Sequence, residues 1–373
     1  MSRPENQAIV RAGFIPLVDC AVLVVAREKG FAADHGIDLH LSKEVSWANI
    51  RDRINVGALD VAHMLAGMPI AQSLGINHIK IPMIAPMALG VGGNAITLSH
   101  ALHHELEGTG EDLQAPLSAA HALRKVVEKR RYEDKEPLSF GQVFPFSCHN
   151  YQLRYWMAAA GIDPDRDVRL VVIPPPFMVK SLKAGQVDGF CVGEPWNTLA
   201  VDQGVGVILT QTSAFWPFGP EKVLGLQEGW ADANPGILRA LLQALDQAAR
   251  WADEASNHSK LAQILARAEY LDVAADVVST ALKGDLKFYG DGAGRADRAY
   301  ALWLYAQMVR WGQTPLSRGA EQVAWQTYRP DLLTAALGGE LGTGPGENLP
   351  PLDGTAFDAS DVPGYIAALN IKA

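Results

Sequence analysis

Apolar and polar positions alternate with a changing period along this chain, and the changes recur in a fixed order. Ala8-Ile9-Val10 reads as an opening strand. The stretch from Ala26 to Asp38 reads as a helix ending at Gly36-Ile37-Asp38, with a strand following at Leu39 to Leu41. A helix through Ile50 to Ile54 comes next, then Gly57-Ala58-Leu59-Asp60-Val61 and an apolar strand reaching Pro69. The same order returns from Tyr151. A helix runs to Gly161-Ile162-Asp163, a strand covers Val168 to Ile173, and a helix spans Met178 to Leu182. Gly185-Gln186-Val187-Asp188-Gly189 then leads into a strand reaching Pro195. The two copies lie about 125 residues apart, from Gly36 to Gly161.

Glycine after a helix suits a left-handed cap, and strands alternating with helices imply parallel α/β units. Two such units predict two matched lobes closing as a hinged clamshell, with a ligand between the carboxyl ends of the strands. Gly92-Gly93-Asn94-Ala95-Ile96-Thr97-Leu98 is the expected first crossing and Gly193-Glu194-Pro195-Trp196-Asn197 the second. These place lobe one at 1–96, lobe two at 97–195, and a return to lobe one over 196–373. The polar segment from His100 to Glu136 reads as helices on lobe two.

The last third reads as mainly helical. Asn234-Pro235 is a cap and first-turn proline, followed by an apolar stripe from Ile237 through Leu238, Leu241, Leu242, Leu245 and Ala248 to Trp251. A second helix is expected from Arg298 to Trp311, with Leu302, Tyr305 and Met308 on one face. Gly338 to Gly354, rich in glycine and proline, reads as an extended arm.

Composition narrows the functional classes. Of 373 residues, 48% are hydrophobic and 20% charged, a globular balance. A formal charge of −9 without any basic block argues against a nucleic-acid surface. No apolar run approaches the ~18 residues of a membrane span. The polar start Met1 to Gln7 lacks the basic and apolar regions of a secretory signal, so the expected location is cytoplasmic. Asp19 stands where a lipid-anchored Cys20 would need a small residue. Three cysteines, Cys20, Cys148 and Cys191, make no disulfide framework and read as reduced thiols.

Candidate chemistry sits in a few loops. Phe144 to Asn150 enters a helix through cap-type residues, whose free N–H groups favour an anion, and His149 projects from that start. The alternative is a cap-adjacent histidine facing solvent or a carbonyl. Cys148 and His149 are adjacent, so they do not face one another as a catalytic dyad would. Ser46 to Asp52 is the matching element of lobe one; Trp47 there either lays its ring or indole N–H against a ligand or is an ordinary half-buried tryptophan. Lys222, after the rigid loop Trp216 to Gly219, is either a solvated strand-edge residue or a cleft ammonium able to neutralise a small anion. His100, His103, His104 and Glu105 have ligand spacing on a helix, but a solvated face is the expectation. Neither a phosphate-cradling loop nor a dinucleotide fingerprint is present, since Gly90-Val91-Gly92-Gly93 has the wrong spacing.

Several blocks carry a family resemblance. Gly13 to Ala21, Ser42 to Asp52, Ala62-His63-Met64-Leu65-Ala66 and Cys191 to Asn197 resemble the nitrate- and bicarbonate-binding proteins of ABC transporters. The resemblance implies a two-lobed α/β periplasmic-binding-protein-like fold of type II with a helical C-terminal region. It also implies a binding protein rather than an enzyme, with one anion in the cleft. Its nitrate contacts, carried over by position, are Trp47, Asn94, His149, the backbone of Gly193, and Lys222. Asn94 departs from the glutamine typical of nitrate binders. Lysine at 222 favours nitrate or nitrite over the bicarbonate branch, which has an acidic residue near that place and is associated with calcium. No metal and no cofactor is expected. With no leader evident, the chain resembles the cytoplasmic NasS-type nitrate/nitrite sensors of nitrate assimilation. That resemblance implies a partner, a NasT-type antiterminator that binds RNA through its ANTAR domain, held by the empty sensor and released by the loaded one.

Overall fold

A computed structural model describes residues 7–217, 219–339 and 352–372. Among the described residues ten strands form two five-stranded sheets. They are β1 (Ala8–Phe14), β2 (Ile37–Lys43), β3 (Val61–Leu65), β4 (Met83–Val91), β5 (Asn94–Ser99), β6 (Ser139–Gln142), β7 (Arg169–Val172), β8 (Gly189–Gly193), β9 (Gly206–Gln211) and β10 (Pro220–Gln227). The orders are β2-β1-β3-β10-β4 and β7-β6-β8-β5-β9.

Position for position the two sheets match. In each, three parallel strands come from one copy of the repeat (β1, β2, β3 and β6, β7, β8), and one antiparallel strand follows them. The antiparallel strands β5 and β10 carry the crossings. The chain leaves sheet one at β4, turns at Gly92-Gly93 with both glycines at positive φ, and enters sheet two as β5. It returns from β9 to β10, so the first crossing lies where the sequence indicates.

The second does not. Gly193 ends β8, the helix Trp196–Asp202 follows, and β9 still pairs with β5 in sheet two. The return to lobe one falls after Gln211 rather than at 196. The Gly-Glu-Pro sequence punctuates a strand end but leads into a helix on the same lobe. Two further expectations shift. The strand expected to reach Pro69 stops at Leu65, and Pro69 lies in the first turn of the helix Gly67–Leu74, where a missing N–H is harmless. The helix read from Ala26 to Asp38 is two pieces, Ala21–Glu28 and Phe31–Asp34, parted by Gly30 at φ 84°.

The core runs through both lobes. The amphipathic helix Pro235–Asp253 buries Leu238, Leu241, Leu242, Leu245 and Ala248 and packs on the helix Ala21–Glu28 of lobe one. The helix Arg298–Arg310 touches Gly67–Leu74 on lobe one and Cys148–Ala159 on lobe two, so it spans the junction. There Trp303 meets Tyr151, Tyr155 and Trp216 edge-on. Lobe contact is close: a Cβ at Gly67 would overlap the Phe146 carbonyl oxygen of lobe two. The Val18 N–H donates to the Glu194 carbonyl at 2.8 Å, and the Trp196 indole donates to the Pro16 carbonyl at 3.0 Å. No helix among the described residues is long and apolar enough to cross a membrane. Residues 340–351 of the arm expected at Gly338 to Gly354 lie outside the described residues.

Candidate functional site

Local chain chemistry sets up five approaches to one buried place. Ser46 caps the helix Trp47–Asn55, its hydroxyl accepting from the Asn49 N–H at 3.3 Å, which fixes Trp47 at the first turn. Ser147 does the same for the helix Cys148–Ala159, accepting from Asn150 N–H at 3.0 Å, and so places His149. Asn94 opens β5 and Gly193 closes β8, and the two are direct cross-strand partners. Lys222 lies on β10 between β3 and β4, opposite Leu65. It is fully buried, so it is not an edge lysine. Trp47 and His149 are likewise buried rather than turned to solvent. All five residues expected to hold an anion converge where the two lobes meet.

Four further groups complete the cluster. Asp19, on the short turn after β1, accepts from Lys222 Nζ at 2.8 Å and lies 2.8 Å from His63 Nε2 of β3. Glu221 contacts Lys222, the Asn94 amide and, at 2.8 Å, His149 Nε2. Gln152, one turn beyond His149, accepts from Asn94 Nδ2 at 2.8 Å. The Lys222 ammonium stands 5.6 Å from the Trp47 ring centre, and that ring tilts against His63. Side chains of neighbouring strand residues normally point to opposite faces. Register shifts on either side of Lys222 in the β4–β10 pairing break that rule and let Glu221 and Lys222 reach the same cluster.

The electrostatics are those of a closed, over-acidic knot. Burial alone would raise the Asp19 carboxyl, but Lys222 and His63 hold it well below the usual carboxylate range. Burial likewise opposes ionisation of Glu221, and His149 and Lys222 outweigh it, so its pKa is lowered. The Lys222 ammonium is held on by Asp19 and Glu221 against its own burial. Burial pushes both imidazoles below their ordinary value despite the carboxylates beside them. The five groups therefore hold two carboxylates, one ammonium and two largely neutral rings near pH 7.

Among the described residues several buried polar nitrogens in this place lack hydrogen-bond partners: the donors Trp47 Nε1, Gln152 Nε2 and Trp216 Nε1, and both ring nitrogens of His149, one of which carries the N–H of the neutral ring. His149 Nε2 is near Glu221 but out of line for a hydrogen bond. Unpaired buried donors are costly, about 1–3 kcal/mol each, and are common only where a ligand or water completes them. Asn94 donates to Glu221 and Gln152, leaving its carbonyl oxygen unpartnered, so its amide is already engaged and Gln152 carries the open amide. A Cβ on Gly193 would stand 3.3 Å from that oxygen and 3.6 Å from Asp19 Oδ2, so glycine keeps its backbone open to the cluster.

The reactive residues weighed in the sequence behave as bland ones. The Cys148 thiol contacts the Glu221 carbonyl at 3.8 Å, and burial pushes it well above its ordinary pKa, the reverse of an activated nucleophile. Cys20 and Cys191 are also buried and unpaired. The His104 side chain is 88% exposed on its helix, and His100 reaches only the Gly204 carbonyl. No group of three or more His, Cys, Asp or Glu among the described residues could hold a metal ion. Reading the sequence alone passes over Asp19, His63, Glu221 and Gln152 as site residues. The only signal for them was that Asp19 and His63 stand inside the blocks carrying the resemblance, and Glu221 beside Lys222.

Next to the cluster, Glu194 follows Gly193 at the lobe contact. Burial pushes its carboxyl up to about 7, against the hydrogen bonds of Thr198. A carboxyl raised in the folded state supports folding below its unfolded pKa, and that support is lost as pH rises through about 7. Glu194→Gln keeps an acceptor for the Thr198 N–H, 3.1 Å away, without the charge. It is expected to stabilise the protein at pH 8, by on the order of 3 kcal/mol at most, and to change little at pH 5. Thermal unfolding at the two pH values checks this; an equal shift at both would contradict it.

Two matched α/β lobes with a buried polar cluster between them are the architecture of the clamshell, periplasmic-binding-protein fold. The NMT1-like family model matches residues 3–266, and the chain belongs to that family. It is 31% identical over 389 residues to the nitrate/nitrite binding protein NrtA of Nostoc sp., covering 97% of this chain and 86% of that one. The bicarbonate transport ATP-binding protein CmpC of Synechocystis sp. is 37% identical over 375 residues, 95% of this chain and 54% of its own. The chain spans about half the length of the ATP-binding relatives it matches. Among solved structures, the periplasmic nitrate-binding protein NrtA from Synechocystis superposes with a TM-score of 0.87 at 29% identity, covering 99% of this chain and 100% of that one. Family and fold are those of binding proteins.

Proposed function

We propose that this chain binds one nitrate or nitrite ion between its lobes and acts as a cytoplasmic sensor, holding a NasT-type ANTAR-domain antiterminator when empty and releasing it when loaded. The observation that carries the anion reading is the convergence of Trp47, Asn94, His149, Gly193 and Lys222 on one buried place with unpaired donors. A planar monovalent anion needs donors around its edge and one cation. Trp47, Gln152, His149 and the Gly193 backbone offer the first, and Lys222 the second. Gln152 also supplies, from a neighbouring helix, the amide that Asn94 is too short and too engaged to give. The kinship with NrtA supports nitrate and nitrite as the ions.

The sensor role extends this reading through the resemblance to NasS-type proteins. A clamshell reports occupancy by lobe orientation, and the helix Arg298–Arg310 touches both lobes, so the C-terminal third is the part of the surface best placed to report it. A second reading, a substrate-binding protein or domain of a nitrate or bicarbonate transporter, is favoured by the import and transport roles named for the relatives NrtC and CmpC.

Titration calorimetry of the purified chain with nitrate, nitrite and bicarbonate tests the anion. One saturable site for nitrate or nitrite, unchanged after exhaustive chelation, is expected. Binding of bicarbonate alone, or binding that needs calcium, would overturn it in favour of the bicarbonate reading.

A further inference from the structure

The groups assigned to the external anion already hold one. The Glu221 carboxylate is bracketed by Lys222 Nζ, the Asn94 amide nitrogen and His149 Nε2, three of the five residues expected to grip nitrate. A carboxylate is planar and trigonal, as nitrate is, and places two oxygens where two nitrate oxygens would go. Glu221 is 1% exposed and Lys222 fully buried, so solvent does not screen this arrangement.

From this geometry we infer that Glu221 is the site's own anion, occupying the ligand's place in the empty protein, and that an external anion displaces it together with the uptake of one proton. The inference rests on the anion-binding reading above and deepens it by naming the residue that sets affinity.

The proton follows from charge. Facing Glu221 are Lys222 on its own strand, His149 and the Cys148 thiol from the helix Cys148–Ala159, Asp19 from the turn after β1, His63 of β3 and Cys191 of β8. The thiols stay protonated and Lys222 stays charged. With both imidazoles neutral the cluster carries one net negative charge. A second anion would make it two, in a place shielded from water, and ionic groups so enclosed are stable only when paired. One proton taken up by Glu221 restores the original balance. The neutral carboxyl no longer competes for Lys222 and the Asn94 amide, and the ring N–H of neutral His149 is left to donate to the incoming anion.

The test is nitrate calorimetry at pH 7 in buffers of different ionisation enthalpy, on the wild type and on Glu221→Gln. The wild type is expected to take up close to one proton per nitrate bound. Glu221→Gln, which keeps the shape and removes the charge, is expected to bind nitrate about tenfold tighter or better and to take up almost none. Wild-type binding without proton uptake overturns the inference, as does a Glu221→Gln protein that binds no tighter. In either case the anion-binding reading stands. If neither protein binds nitrate or nitrite, that reading falls and takes the inference with it. Should Glu221→Gln fail to fold, as judged by circular dichroism, the proton count of the wild type decides alone.

Discussion

Replacing Lys222 by glutamate is expected to abolish the proposed nitrate and nitrite binding and to leave a variant less stable than Lys222→Ala. Among the described residues the ammonium is the one cation in contact with both Asp19 and Glu221, and all three are buried. Removing one partner from a buried ion pair typically costs about 3–5 kcal/mol, because the other charge is left uncompensated. Lys222→Ala leaves two such carboxylates, and Lys222→Glu adds a third. For the ligand, loss of a buried countercharge weakens binding by at least about 30-fold in the alanine variant. In the glutamate variant repulsion removes it altogether.

The pH dependence has a definite sign. Without the ammonium, the Asp19 and Glu221 carboxyls rise above their unfolded values of about 4. A raised carboxyl stabilises the fold below that range and ceases to do so as pH rises. The stability gap between wild type and Lys222→Ala is therefore widest near pH 8 and narrows toward about pH 4. Melting curves across this range, with calorimetry at a temperature where the variant is folded, check both halves. Wild-type affinity in Lys222→Glu would remove Lys222 from the site.

Nitrate is expected to dissociate the complex with the antiterminator, and the antiterminator to weaken nitrate by the same factor. The reciprocity is thermodynamic: if the empty chain binds the partner better, the partner must favour the empty chain. Moving the complex from mostly bound to mostly free needs about 3–5 kcal/mol of differential affinity. Pull-down with and without millimolar nitrate reads the sign. Trp47→Ala should leave a complex that nitrate no longer dissociates, because Trp47 lies in the cluster and not on the outer surface. A complex formed only with nitrate reverses the mechanism. If no complex forms in either condition while nitrate still binds, the transporter reading takes its place.

The repeated Gly-Ile-Asp and Gly-x-x-Asp signals made β2, β3, β7 and β8 readable, because glycine caps and strand–helix alternation are local properties, whereas β6 lies ahead of the second repeat and carried no such signal. What stayed hidden was non-local. β5 and β10 cross between lobes to complete the opposite sheet, and nothing in Asn94 to Ser99 states which sheet will accept it. The second crossing was misplaced for the same reason: Gly193-Glu194-Pro195 marks a strand end, whereas only the pairing of β9 with β5 shows that lobe two continues. The site divides in the same way. Capping chemistry at Ser46 and Ser147 indicated where Trp47 and His149 would start helices. Asp19 with His63 and with Lys222 joins residues 44 and 203 positions apart, a relation no spacing rule contains. Glu221 was further obscured by strand alternation, which assigns it the face opposite Lys222 until the bulge brings the two together.

The most direct measurement is a crystal structure of the chain grown with saturating nitrate. The account predicts a planar trigonal ion between the lobes, within hydrogen-bond distance of Trp47 Nε1, Gln152 Nε2, His149 and the Gly193 backbone, beside Lys222 Nζ, with the Glu221 carboxylate turned away from the place it now fills. An ion found elsewhere, or Glu221 still bracketed by Lys222, Asn94 and His149 in protein shown by calorimetry to be loaded, would contradict it.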